Sequence, residues 1–194
     1  MRKLTRGDLL SLESYAAQRA AIRARLIEHR RARRLAVGGH CTWSFEDRET
    51  IRYQVQEMLR AERIFEAAGI DEELAAYNPL IPDGRNLKAT LLIEYTDPAE
   101  RARRLAELRG VERRCWLKVA GHAPVFAVAD EDLERETPEK TSAVHFLRWE
   151  FTPPMIAALK GGATLAAGVD HPAYDVTVEA LPEETRRALA ADLD

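Results

Sequence analysis

Three short stretches hold residue types that could do chemistry. "VDHPAYD" gathers Asp170, His171, Tyr174 and Asp175 around a proline. An aspartate beside a histidine can act as an acid–base pair, and a tyrosine can supply a proton. "VHFLRWE" sets His145, Arg148, Trp149 and Glu150 along a strand-like segment, with His145 on the face of Leu147 and Trp149. In that position His145 would serve as a general base or metal ligand. "FEDRETIRYQVQEMLRAE" offers Glu46, Gln54, Glu57 and Glu62. With Glu46, Glu57, Glu62, His145, His171 and Tyr174 as candidate catalytic groups, a Glu/His pocket would lie between a sheet and a helix over 45–68.

Each stretch has a plainer reading. Asp and His before a proline are turn formers. A histidine on an apolar face is a hydrogen-bonded core residue. Glu62 poses the sharpest question. At helical spacing Ile51, Val55, Met58, Leu59 and Phe65 share one side, with Glu62 near its centre and Gln54 at its edge. A lone carboxylate facing a core is costly, so it should be paired or protonated. Arg19 sits in the same way inside the apolar stripe of the preceding helix. The expectation is therefore a structural ion pair of Glu62 with Arg19, or with Arg33, that fixes how the two helices pack.

A fourth tract, "RAAIRARLIEHRRARR", holds seven arginines and one glutamate over residues 19–34. Such a tract could grip an acidic protein surface through Arg23, Arg30, Arg31, Arg33 and Arg34. Nucleic acid is the alternative, weakened because no aromatic residues interleave for base stacking.

The motifs of strong specificity are missing. The chain has no GxGxxG, Walker loop, HExxH, GxSxG or CxxC. A metal site from His40, Cys41, His122, His145 and His171 would need convergence that spacing does not support, so no metal and no cofactor are expected. The two cysteines, Cys41 and Cys115, read as buried free thiols, with a single disulfide as the alternative.

Positioning these residues falls to elements the pattern outlines. A long helix runs from about Asp8 to Arg34, with Leu12, Tyr15, Ile22 and Leu26 on one stripe. "RLAVGGHCTWSF" alternates as a strand. "SFED" matches a capping box opening the next helix, which Gly69 would close. "DEELAAYNPLIPDG" is a short helix and turn, and "NLKATLLIEYT" a strand. Asp97, Pro98 and Gly110 cap, open and stop another helix. A hairpin turns near Gly121–His122, and "EDLERETPEK" is a charged loop. "SAVHFLRWEF" is a central strand, "PPMIAALKGG" a helix, and "ATLAAGVDHPAYDVTVEAL" two strands broken at His171–Pro172. "PEETRRALAADLD" is a closing helix. The sum is an α+β fold, a mainly antiparallel sheet of about six strands with packed helices. It reads as one domain over 1–194, a basic-ended helix (1–35) before an α+β body (36–194).

With 194 residues, 46% hydrophobic and 31% charged, the chain is long enough to bury a core without metals or disulfides. Its net charge of −3 does not suit a general binder of nucleic acid or membrane. The charged first residues do not form a signal peptide, and no run reaches membrane-spanning length, so a cytoplasmic protein is expected.

Several segments in order, "HRRARRL", "FEDRETIRYQVQEMLRAE", "YNPLIPDGRNLKATLLIEY", "TSAVHFLRWEF" and "VDHPAY", resemble an uncharacterised bacterial family, domain of unknown function 3501. The resemblance implies a stand-alone cytoplasmic domain. Genes of that family lie beside those for rubrerythrin and a cysteine-rich iron–sulfur oxidoreductase, which implies a place in peroxide or redox defence. The expectation is a non-catalytic accessory protein with such a redox protein as its partner.

Overall fold

The computed structural model describes residues 1–132 and 135–194. Period-two stretches become strands. β1 (Arg34–Val37) and β2 (Cys41–Phe45) form a hairpin where the sequence reads as a single strand. The break is Gly38, whose φ of +73° turns the chain. A Cβ there would also lie 2.5 Å from the Tyr174 hydroxyl, so both backbone and space require glycine.

β3 (Asn86–Ile93) pairs with β2 and with β7 (Val144–Glu150), and β6 (Val128–Ala129) forms the far edge. The first sheet thus runs β1–β2–β3–β7–β6. β4 (Cys115–Val119), β5 (Val125–Phe126), β8 (Leu165–His171) and β9 (Tyr174–Val178) make a second sheet in the order β5–β4–β8–β9. All pairs are antiparallel. The α+β class stands, but the single sheet of about six strands is corrected to nine strands in two sheets among the described residues. The split occurs at Ala127. Val125 and Phe126 pair with β4, the Ala127 N–H donates to the Cys115 carbonyl at 2.8 Å, and Val128 and Ala129 pair with β7.

The two sheets share one core. Trp43 and Trp149 pack with ring centroids 4.9 Å apart, and Phe45 lies 5.9 Å from Trp149. The Trp149 indole N–H donates to the Cys115 carbonyl at 3.3 Å, tying one sheet to the other. α4 (Pro98–Glu107), α5 (Pro153–Lys160) and α6 (Glu183–Ala190) add Leu105, Ile156, Leu159 and Leu189 to the same core. α4 begins as its sequence predicts. Asp97 accepts from the Glu100 N–H at 2.7 Å, Pro98 occupies the first turn, and Gly110 turns the chain beyond its end with a φ of +78°. The charged loop expected over 131–140 lies outside the described residues at positions 133 and 134.

A smaller core sits beside the sheets. α2 (Arg48–Ala61) and α3 (Ala67–Tyr77) bury Ile51, Val55, Leu59 and Leu74 against Leu4 and Ile81. Three sequence expectations change here. The cap of α2 is Asp47, which accepts from the Glu49 and Thr50 N–H groups at 2.9 and 2.8 Å, while Ser44 remains in β2. Gly69 lies within α3 and stops nothing. α2 ends at Ala61 because Arg63 turns into the left-handed region with a φ of 56°. Glu62 is the exposed residue at that end, so a helical wheel carried through Glu62 to Phe65 describes a helix that has already stopped.

α1 (Leu12–Arg31) is shorter at both ends than expected, because a 3-10 turn occupies Arg6–Asp8 and Arg34 opens β1. Just past its end, Arg33 is 6% exposed and meets two buried carboxylates. Its Nη1 and Nη2 donate to Asp192 at 2.6 and 2.8 Å, and its Nε lies 2.9 Å from Asp47 Oδ2. Removing one partner of such a group strands the other in a medium that solvates it poorly. Asp192→Ala should therefore cost about 3–5 kcal/mol, read as a lower urea midpoint at unchanged slope.

Candidate functional site

α1 is largely exposed, and its own composition makes it a helix. It is rich in alanine, arginine and leucine, which favour the helical state, and the Ser11 side chain accepts from the Ser14 N–H at 3.2 Å to cap it. Only Tyr15 and Leu26 are buried along it. Polar clamps at its two ends hold it to α2. At the first, the Tyr15 hydroxyl donates to Glu57 Oε1 at 2.6 Å, and Arg19 grips both Glu57 oxygens at 2.8 and 2.7 Å. At the second, His29 Nε2 lies 2.6 Å from Asp47 Oδ2.

The Arg19–Glu62 pair expected from the sequence is therefore replaced by Arg19–Glu57. The arginine does bridge the two helices, but to the carboxylate five residues earlier. Hydrogen bonds from Arg19 hold the Glu57 carboxyl down at about 2, against burial pushing the other way. Burial, and then the same carboxylate, push the Tyr15 phenol above its ordinary range.

The arginine tract divides. Arg33 leaves the partner-binding set because it is buried on Asp192 and Asp47. Arg23, Arg30, Arg31 and Arg34 remain exposed. Arg31 meets Glu28 at 3.0 Å, Arg34 meets Glu94 at 3.7 Å, and the Arg30 guanidinium lies 5.8 Å from the Tyr53 ring centre. Exposed pairs of this kind hold little free energy and exchange readily. Arg23, Ile27, Arg30 and Arg31 are spaced at i, i+4, i+7 and i+8, so they form one stripe along the exposed side of α1, whose edge residue Arg30 leans over Tyr53 of α2. Ile27, within that stripe, is 53% exposed. Sequence reading of the tract passed over it, although an isoleucine flanked by arginines is visible there.

The candidate catalytic residues do not come together. Glu46 accepts from the Thr50 and Thr90 hydroxyls at 2.5 and 2.8 Å. Glu57 is held in the first clamp and Glu62 is exposed. His171 accepts from the Ala173 N–H at 3.1 Å through Nδ1, so its Nε2–H donates to the Arg109 carbonyl at 3.0 Å. It stabilises the β8–β9 turn. Tyr174 is buried, its phenol is pushed up to about 12 by that burial, and it donates to the Val37 carbonyl at 2.7 Å.

His145 has the most catalytic-looking surroundings. Its Nδ1 lies 2.6 Å from Asp130 Oδ2, and its Nε2 lies 2.9 Å from Thr141 Oγ1 and 3.0 Å from the Ser142 carbonyl. An aspartate, a histidine and a hydroxyl in line resemble a nucleophilic triad. Here His145 is 0% and Thr141 1% exposed, so no substrate reaches the hydroxyl, and the array serves to fix the β6–β7 edge. Sequence reading found His145 but neither partner, since both lie outside its strand. Among the described residues no three His, Cys, Asp or Glu side chains gather as metal ligands, and no helix is long and apolar enough to cross a membrane. Cys41 and Cys115 are buried and unpaired.

The first clamp gives a direct test. A group whose folded pKa is depressed stabilises the fold above its unfolded value, about 4.3 for glutamate, and loses that contribution as pH falls toward the folded value. The clamp should thus be whole at neutral pH and weaken from about pH 4.3 downward. An NMR titration of the Glu57 carboxyl should find a midpoint near 2. In Arg19→Gln it should return toward about 4.3.

A crystal structure of a novel protein of unknown function from Burkholderia pseudomallei K96243 at 1.90 Å resolution is 52% identical to this chain. The match covers 100% of both chains with a TM-score of 0.95. No curated protein matches. The family model described as protein of unknown function (DUF3501) matches residues 3–193, and the chain belongs to that family.

Proposed function

We propose that the chain is a non-catalytic accessory protein of the cytoplasm that docks on an acidic protein through the outward face of α1. The observation that supports this reading most is the stripe of Arg23, Ile27, Arg30 and Arg31. It joins an exposed apolar residue to cations that no buried pair holds. A protein interface is strongest where an apolar anchor is surrounded by polar groups that exclude water around it. Arginine suits the surrounding role because its planar fork meets carboxylates in two bonds. The scattered and sealed histidines and glutamates add weight on the non-catalytic side. The partner that the family resemblance suggests is a redox protein, rubrerythrin or a cysteine-rich iron–sulfur oxidoreductase. Nucleic acid is a weaker reading for the same arginines, given a net charge of −3 and no aromatic residue among them.

Binding of the purified chain to rubrerythrin and to the iron–sulfur oxidoreductase of the same host, by calorimetry at low salt, tests the reading. Arg30→Glu with Arg31→Glu should weaken the complex about tenfold or more, and Ile27→Asp by as much. The unfolding free energy from urea titration should hold to within about 0.5 kcal/mol, since all three positions are exposed. Affinity unchanged by the reversals would remove α1 as the contact. Binding of an RNA oligonucleotide with a steep salt slope would favour the nucleic-acid reading instead.

A further inference from the structure

The inward face of α1 poses a different question. Packed helices normally interdigitate at 8–10 Å. Here the clamps at Tyr15 and His29 lie about 21 Å apart along the axis, taking a rise of ~1.5 Å per residue. Beyond the Arg19–Glu57 contact of the first clamp, a cleft of about 460 Å³ remains between α1 and α2. That volume lies within the range of small-molecule sites, about 300–1,000 Å³.

Its walls have a definite chemistry. Ile22 and Leu26 give it an apolar side. Its two carboxylates are already engaged. Asp8 meets Arg48 at 2.5 Å and Arg2 at 2.8 Å, and Glu49 meets Arg52 at 2.7 Å. His29 is on Asp47. Arg25 is left as the one charged group of the lining with no counter-charge among the described residues. The Gln18 amide and the Tyr53 hydroxyl likewise have no hydrogen-bond partner there. Unpartnered donors thus face one space beside an apolar wall, with the Tyr53 ring, over which Arg30 lies, as a flat surface at its edge.

We propose that the α1–α2 cleft binds a small organic anion, with its acidic head on Arg25 and a flat apolar body along Ile22, Leu26 and the Tyr53 ring. The anion satisfies donors that otherwise meet only water, and Tyr53 offers an aromatic face for its body. This site lies on the other side of α1 from Ile27 and Arg31; Arg30 borders both through the Tyr53 ring, so Arg25→Gln and Ile27→Asp are the variants that separate the two readings.

Fluorescence titration of the whole chain with anilinonaphthalene sulfonate, an anion on a flat apolar body, tests this. Saturable binding of one probe per chain is expected, displaced by naphthoate but not by the uncharged naphthalenemethanol. Arg25→Gln should weaken binding about tenfold or more, the scale of a lost charge-assisted hydrogen bond. Ile22→Trp, which fills the cleft, should abolish it, and Arg23→Gln, on the outward stripe, should leave it unchanged. Arg25 is exposed, so its variant keeps the test sound even if the tryptophan disturbs folding. No binding, displacement by the neutral alcohol as readily as by the acid, or unchanged affinity in Arg25→Gln would overturn the proposal.

Discussion

A buried arginine decides how this chain closes on itself. Arg33 sits between α1 and β1, cut off from water, and must have its charge met by protein. Asp192 meets it with two parallel hydrogen bonds across a separation of 159 residues. Asp47 supplies the second carboxylate. Two acids around one guanidinium would repel, but Asp47 has further support. It caps α2, so the first amides of that helix and its dipole favour negative charge there. Those amides take Oδ1, and His29 approaches Oδ2, the oxygen that also faces Arg33. One polar knot therefore joins the end of α1, the start of β1, the start of α2 and the last residues of the chain. The bidentate bond to Asp192 carries the directional pairing, while Arg33 Nε faces Asp47 at 2.9 Å without an aligned hydrogen bond; burying each ion costs several kcal/mol that only close pairing offsets.

The knot also explains how α1 can be held with so little burial. The sheets and three helices share a large apolar core, while α2, α3 and the first residues build a small one of their own. Neither buried side chain of α1, Tyr15 or Leu26, joins either core, and only the half-buried Leu12 packs against the smaller one. Hydrophobic burial of that extent would leave a 20-residue helix loosely attached. Directional bonds at the two ends, Glu57 on one side and Asp47 on the other, fix its register instead. A helix fastened at its ends keeps two long faces free. One is the stripe around Ile27, and the other overlooks the cleft.

Much of this frame could be read from local pattern. The caps of α4, the proline opening of α5 and the closing α6 follow from residues within a few positions of each boundary. The β8–β9 hairpin shows in its broken alternation. What failed did so where a distant residue decides. The two-sheet split turns on Ala127, whose segments are two residues long and have no periodicity to read. Arg33 reads as one more arginine of a basic tract because Asp192 lies at the other end of the chain. Glu62 failed for a local reason: Arg63 enters the left-handed region without being glycine or asparagine, so no stop signal marks the end of α2. With the helix ended, Glu57 is the carboxylate that meets Arg19. The idea of an interhelical arginine pair was sound, and its register was not.

The division of the arginine tract has a further consequence. Arg19 and Arg33 hold α1 in place, whereas Arg23 and Arg31 lie on its exposed side, Arg30 leans over Tyr53 at the edge of that side, and Arg25 faces the cleft. Residue type is the same throughout, so composition cannot separate these roles; only helical phase and the positions of Glu57, Asp47 and Asp192 can. A change of charge at an outward arginine alters a screened surface and leaves the fastening intact. A change at Arg33 leaves buried carboxylates without their counter-ion and loosens the helix that presents all the others. Loss of binding after substitution in this tract is therefore evidence for a contact only at the outward positions, where the helix stays docked when the charge is gone.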